Sequence, residues 1–147
     1  MKKSKQKVNA AIIVIGNEIL TGRTQDVNVV TISQWLNDLG VKLEEVRIIP
    51  DIQKSIIKTI KELKNKFNYV FTTGGIGPTH DDITSLSVSK ALNLTYGYHK
   101  EAFSILEKYY GKENFNVGRK KMAKIPKEAS LILNPSSGAP GFYFKNI

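Results

Sequence analysis

The sequence predicts an α/β fold with a mainly parallel sheet, and three observations carry the prediction. Val8 to Ile15 is an unbroken, β-branched apolar run, as a strand buried on both faces requires. Strand-like runs then alternate with segments of helical apolar spacing ten or more residues long. Glycine-bearing turns follow two of the strand-like runs, at the carboxyl ends where open α/β sheets receive ligands.

The elements follow in order. Gly16 to Asp26 reads as a long turn. Val27 to Leu39 has helical spacing, with Val30, Ile32, Trp35, Leu36 and Leu39 apolar, and Gly40 is suited to end it. Val41 to Ile49 is a second strand, through Val41, Leu43, Val46, Ile48 and Ile49. Pro50-Asp51 opens a helix from Ile52 to Lys66, with Ile56, Ile57, Ile60 and Leu63 inward and Lys54, Lys58, Lys61 and Lys64 on the solvated face. Tyr69 to Thr73 is a short buried strand leading into a glycine loop. Helices are expected over Ile83 to Leu92, over His99 to Tyr110 with Gly111 after it, and over Asn116 to Lys124. Ser130 to Leu133 and Gly141 to Phe144 read as strands.

A length of 147 residues suits one domain, taken as residues 8–147 behind a basic tail of residues 1–7. The tail and the apolar run after it superficially resemble a signal peptide. The run is short, Asn17-Glu18 follow it, and no small-residue cleavage site is in place. No apolar run approaches the ~20 residues of a membrane span. There is no cysteine, which excludes a disulfide scaffold, a cysteine-ligated metal and a thiol nucleophile. That composition fits a reducing compartment, and a cytoplasmic location is expected. The net charge is +9, and 19 of the 22 basic residues are lysines. Most sit at helical spacing opposite apolar residues, as solvated faces do. Nucleic-acid binding, which favours clustered arginine with interleaved aromatics, is not expected. Arg119-Lys120-Lys121, near Lys124 and Lys127, is the densest basic run. It reads first as wet surface and second as a contact for ligand phosphates.

The most informative stretch is Thr72-Thr73-Gly74-Gly75-Ile76-Gly77-Pro78-Thr79-His80-Asp81-Asp82. Strand, glycine loop and helix in that order make an anion-binding layout. Three glycines in four positions let backbone N–H groups approach a ligand. The adjacent carboxylates would repel a bare phosphate unless a metal, a proton or a cationic ring stands between. One of Asp81 and Asp82 can cap the following helix; two are not needed for that, so at least one is assigned to ligand or metal. Oxygen-only ligation suits magnesium or another hard divalent ion, and no histidine cluster suggests zinc. His80 is either an acid or base near neutral pH or a solvated loop residue. His99, heading a helix, is expected on the surface.

Gly16-Asn17-Glu18-Ile19-Leu20-Thr21-Gly22 sets a carboxylate in a strand-to-helix turn but lacks G-x-G-x-x-G, which argues against a dinucleotide redox domain. Glu18 is either solvated or capping, or it meets a ligand or metal. Asp26 reads first as an N-cap and second as a ligand contact. Asp51 reads as an N-cap or, at a strand's carboxyl end, as a site residue. Asn134-Pro135-Ser136-Ser137-Gly138-Ala139-Pro140-Gly141-Phe142 is a second rigid loop, whose serines are candidates for phosphate. No G-x-S-x-G elbow supports a serine nucleophile. The turns at Gly16–Glu18, Asp51 and Gly74–Gly77 are expected to converge on one pocket.

In order and spacing, Gly16 to Gly22, Asp26-Val27-Asn28, Thr72 to Asp82 and Asn134 to Phe142 resemble the four signature stretches of the molybdenum-cofactor biosynthesis domain. That domain is shared by MogA and MoaB proteins, the gephyrin G domain and CinA-type competence/damage-inducible proteins, and the CinA branch is the nearer match. The resemblance covers the chain from about Val8 onward. It implies a three-layer α/β/α sandwich and a site for molybdopterin or a nucleotide-like ligand. Around that ligand it places Gly16, Glu18, Thr73, Gly74, Gly75, Gly77, Pro78, Thr79, Ser136, Ser137 and Gly138. Asp51 and Asp82 match carboxylates that serve molybdopterin adenylylation or ligand handling in the cofactor-biosynthesis members. In CinA-type proteins the domain is similar to a metal-dependent pyrophosphatase acting on ADP-ribose, and related eukaryotic domains hydrolyse FAD. Asp81, Asp82 and Glu18 are then the expected ligands of magnesium or cobalt. Amidohydrolase activity on nicotinamide mononucleotide belongs to a different, C-terminal CinA domain. The family pattern runs on past Phe142 with a strand and a Pro-Gly-x-Pro-x-Glu loop, so a shortened domain is expected. Its open sheet edge favours self-association, as a dimer or trimer. The function expected is metal-assisted hydrolysis of a nucleotide diphosphate. The alternatives are a non-catalytic pterin- or nucleotide-binding module and a molybdopterin adenylyltransferase-like protein.

Overall fold

The computed structural model describes residues 7–147, so nearly all of the expected basic tail lies outside the described residues. The apolar run becomes β1 (Asn9–Ile15), buried from Ala10 onward. It pairs in parallel with β2 (Lys42–Ile49) on one side and β3 (Tyr69–Thr73) on the other, giving the order β2-β1-β3. A central parallel strand must be apolar on both faces, which is why this run alternates with nothing polar. The long turn expected over Gly16 to Asp26 contains one helical turn, α1 (Asn17–Leu20). α2 (Asn28–Asp38) joins β1 to β2, and α3 (Gln53–Leu63) joins β2 to β3. The chain moves outward to β2 and then back past β1, so right-handed crossovers set these two helices on opposite faces of the sheet. α4 (Thr84–Leu92) lies beside α3.

The two faces are covered unequally. Ala11, Ile13 and Ile15 pack with Ile56, Ile60 and Leu63 of α3 and with Val88 and Ala91 of α4. Each large aliphatic side chain removed from water there contributes about 1.5–3 kcal/mol. On the other face Leu36 is the buried residue of α2, while Trp35 is 64% and Leu39 77% exposed. Val46 and Ile48 of β2 are exposed as well. The expected C-terminal glycine works as read: Gly40 has φ 73°, and Val41 N–H donates to Leu36 O at 2.8 Å, closing the helix end.

Beyond α4 a second layer of small elements forms. β4 (Tyr96–Tyr98) runs antiparallel to β5 (Lys124–Pro126), with α5 (Lys100–Tyr110) and α6 (Val117–Lys121) between them. β6 (Ser130–Ile132) and β7 (Gly141–Tyr143) pair antiparallel with each other and do not extend the parallel sheet. β4 and β5 are absent from the sequence reading. β4 is centred on a glycine and β5 ends in a proline, neither of which favours strand, and Lys124 starts β5 where the sequence suggested continued helix. His99, expected on the surface, is half-buried. It caps α5, its Nδ1 accepting from Ala102 N–H at 3.3 Å, and its Nε2 lies 3.1 Å from Ala129 O. A second apolar cluster, Ala102, Leu106, Phe115, Ala123 and Ile125, holds this lobe together, and Phe142 packs against both clusters. Among the described residues no helix is long and apolar enough to cross a membrane.

Candidate ligand-binding site

Three strand ends meet at one edge of the sheet. After β1, Gly16 N–H donates to Ile49 O at 3.1 Å, tying the first turn to the end of β2. Asn17 N–H, an unpaired donor at the start of α1, donates to Asp51 Oδ2 at 2.9 Å. Asp51 therefore caps α1 from across the sheet. It does not cap its own helix: Ile52 precedes α3 at the cap position, and no side chain caps it.

The glycine loop closes over this junction. Gly74 has φ +90°, and a β-carbon there would lie 2.0 Å from Ile15 O, so the loop crosses directly over the end of β1. Gly75 has φ +66°, and a β-carbon there would lie 2.3 Å from Thr84 Oγ1 and 3.5 Å from Asp51 Oδ1. Only glycine accepts both the left-handed backbone and that crowding. Buried Thr84 sews the loop to α4: its hydroxyl donates to Gly74 O at 2.8 Å and its N–H donates to Gly75 O at 3.0 Å. The Gly16, Asp51 and Gly74–Gly75 turns thus lie together as expected, but the cleft beside them is lined by Glu18 and Gly74 and by neither Asp51 nor Gly77.

The acidic end of the loop is a turn of its own. Asp82 Oδ2 accepts from Thr79 N–H at 2.8 Å and from the Thr79 hydroxyl at 2.5 Å. The same hydroxyl lies 2.6 Å from Asp81 Oδ1, so two carboxylates converge on one proton. Neither aspartate caps α4, whose first turn carries no side-chain cap. Asp82 packs beside Gly77, where a β-carbon would lie 2.8 Å from its Oδ2. The Thr79 hydroxyl holds the Asp81 carboxyl below its ordinary value, helped by its own backbone and by the charges of His80 and Lys121. Lys121, read from the sequence as wet surface, reaches this turn from α6 and donates to Asp82 O at 2.9 Å and to Thr79 O.

Other candidates fall elsewhere. The Glu18 carboxylate folds back over Gly16 (a β-carbon there would lie 2.7 Å from its Oε1). Among the described residues no three His, Cys, Asp or Glu side chains gather closely enough to hold a metal, so Glu18 does not join Asp81 and Asp82. Asp26 takes its simpler reading, its Oδ2 accepting from Val29 N–H at 2.8 Å at the start of α2. A cleft of about 170 Å³ opens at the strand ends, lined by Glu18, Thr24, Asp26, Asn28, Thr73 and Gly74 among others. His80 is exposed. The Asn134–Gly138 loop closes on itself: Asn134 Oδ1 accepts from Ser136 and Ser137 N–H at 3.1 and 3.4 Å, and Asn134 O accepts from Gly138 N–H at 2.9 Å. It borders a different groove, with Ile105, Lys108 and Tyr109 of α5. Thr84 and Lys121 are the two site residues missed from the sequence. The place of Thr84 as the first residue of the helix after a glycine loop was a usable signal, whereas nothing local marks Lys121.

An open parallel sheet with a glycine loop and carboxylates at its strand ends has the layout in which α/β domains receive ligands. Residues 11–146 match the family described as a probable molybdopterin binding domain, and the chain belongs to that family. Among its relatives is a CinA-like protein of Sulfurihydrogenibium sp., 37% identical over 137 residues, covering 92% of this chain and 34% of that one. The solved structure of CinA, of unknown function, from Thermoplasma acidophilum superposes with a TM-score of 0.85 at 33% identity, over 91% of this chain and 79% of that one. The tungsten cofactor synthesizing protein MoaB from Pyrococcus furiosus shares the fold, with a TM-score of 0.54 at 20% identity over 93% of this chain and 81% of its own. The chain spans about half the length, or less, of the curated relatives it matches.

Proposed function

We propose that the chain binds a nucleotide diphosphate at the glycine loop and hydrolyses its pyrophosphate bond with the help of a divalent ion, ADP-ribose being the candidate substrate. The observation that carries this reading is the bond from Asn17 N–H to Asp51 beside the Gly75 turn, where an added β-carbon would lie 3.5 Å from Asp51 Oδ1. It sets a carboxylate against a backbone curled to receive an anion. The adjoining turn supports it further, since two carboxylates sharing one hydroxyl proton leave negative charge that a cation would offset.

The donor set fits magnesium, or cobalt, held by Asp81 and Asp82 with water and the ligand's own phosphates, not a full protein cage. When bound, such an ion polarises a phosphoryl oxygen and lowers the pKa of a coordinated water. The chain's own part is to bind and orient. The loop N–H groups of Gly75, Ile76 and Gly77 hold the diphosphate, and the stitch from Thr84 keeps the loop from yielding under it. Asp51 faces the loop as an acceptor for a proton or hydroxyl of the ligand. Asp82→Ala is expected to abolish metal-dependent release of AMP from ADP-ribose while the protein stays folded and still binds ligand. Undiminished turnover in that variant sinks the hydrolase reading.

The absence among the described residues of a three-carboxylate cluster favours a second reading, a module that binds a pterin or nucleotide without turnover. Calorimetric titration with ADP-ribose, FAD and molybdopterin, with phosphate-ester release followed alongside, separates the two. A molybdopterin adenylyltransferase would instead, once ATP is added, transfer AMP from ATP to the pterin and release pyrophosphate. We also propose a dimer or trimer in the cytoplasm. The uncovered apolar side chains of α2 and β2 and the lack of cysteine support this, and sedimentation velocity tests the assembly.

A further inference from the structure

We propose that Lys121 is a positioning residue: its ammonium bridges the carbonyls at both ends of the Thr79–Asp82 turn and so fixes how Asp81 and Asp82 present their carboxylates. Both contacts run from α6 to backbone 39 and 42 residues earlier in the chain, to Asp82 O and Thr79 O. Thr79 O also accepts from Asp82 N–H at 3.3 Å, so the ammonium and the turn's own bond meet on one oxygen.

The helix is built to deliver this side chain. Asn116 caps α6 by accepting from Arg119 N–H at 3.0 Å. Gly118 lets the helix backbone approach the loop: a β-carbon there would lie 3.2 Å from Pro78 O. The neighbouring cations turn the other way. Arg119 lies 4.3 Å over the Tyr110 ring and donates to Asn114 O at 2.6 Å, and Lys120 lies 5.8 Å from the Phe115 ring. Of the three consecutive cations, Lys121 is the one committed to the loop.

The turn needs such a strut. It carries two adjacent carboxylates on four residues, and like charges so close favour opening. A cation behind the turn offsets that repulsion through the backbone without itself occupying a carboxylate oxygen. The lobe of α5 and α6 thereby sets the geometry of a loop borne by the parallel sheet.

The consequence for catalysis rests on the hydrolase reading above, but the strut itself can be tested without any ligand. Lys121→Met keeps the aliphatic stem and removes the donors. In the ligand-free full chain, amide exchange over residues 76–83 is expected to rise at least about tenfold, with β1 and α3 changed less than about twofold. With magnesium and ADP-ribose, kcat is expected to fall about tenfold or more while KM moves less than about threefold. Lys121→Arg, whose guanidinium can reach both carbonyls, is expected to recover most of both effects. Unchanged exchange in the loop, or an equal rise throughout the chain, overturns the proposal. Faster exchange in the loop of Lys121→Met, with a wild type that neither binds nor cleaves ADP-ribose, upholds the strut and removes the hydrolase reading alone.

Discussion

The Gly74–Gly77 loop and the Asn134–Gly138 loop look alike in the sequence: each follows a strand, and each is dense in glycine, proline and small polar residues. In the fold they behave differently. The first is tied to other elements, through Thr84 of α4, the end of β1 and the Asp51 turn. The second is tied chiefly to itself, with Asn134 accepting from the N–H groups of Ser136, Ser137 and Gly138. Donors spent inside a loop cannot also hold a phosphate. Glycine density therefore reports the path of a backbone, and the partners of its N–H and C=O groups decide whether it can serve a ligand.

The largest expected effect comes from adding one carbon to each loop. Gly74→Ala forces a β-carbon onto a backbone carbonyl 2.0 Å away at φ +90°, and neither group can step aside. A loss of at least about 3 kcal/mol in urea denaturation is expected. Gly138→Ala meets the Tyr109 ring at 2.3 Å, also at positive φ, but that ring is a half-exposed side chain that can swing away. About 1–2 kcal/mol is expected there. Equal losses would mean that the two loops are equally embedded and would erase the distinction.

Thr84→Val comes next. It removes the hydroxyl that bonds Gly74 O inside a fully buried site and is expected to cost about 1–3 kcal/mol, with ligand affinity falling in parallel. Ser137→Ala, its counterpart in the exposed loop, is expected to stay within about 0.5 kcal/mol and leave ADP-ribose binding unchanged. A loss of binding in Ser137→Ala would return that loop to the site. Asp51→Ala should cost about 1 kcal/mol through the lost cap on α1, measured by the same denaturation.

How much of this was legible beforehand follows from the range of each interaction. β1 and β3 declare themselves as short apolar runs and α3 by its helical period, because each signal is carried by the element's own residues. The pairing of the Gly16 and Gly74 turns follows from strand order, and the sequence supported it through the rule that ligands sit beyond strand carboxyl ends. Asp51 was singled out for its position, yet its partner, Asn17 N–H, lies 34 residues away, and a local cap was the simpler expectation. Lys121 was hidden for the same reason, being one lysine in a basic run with nothing local to tell it from Arg119 or Lys120. β4 and β5 escaped because Gly97 and Pro126 interrupt them, where β6 and β7 each carry two adjacent large apolar residues. The exposed flank of α2 was unreadable because periodicity shows which residues share a face without showing what covers it.

A further small effect supplies a control remote from both loops. Arg47 on β2 bonds Glu45 at 2.5 Å and Glu62 of α3 at 2.5 Å, and Lys66 bonds Glu45 at 2.8 Å. Lys66 and then Arg47 hold the Glu45 carboxyl below its ordinary 4.5, and Arg47 does the same for Glu62. A carboxylate whose folded pKa is depressed adds stability above its unfolded value and loses it as pH falls through the folded value. Arg47→Met should therefore lower Tm by about 2 °C at pH 7, as for a partly exposed ion pair, and the gap from wild type should close as pH drops below 4.5. The deficit of Gly74→Ala is steric and should persist through that same titration. If it too vanished in acid, the glycine loop would be held by charge, and the distinction from the Asn134 loop would rest on the wrong physics.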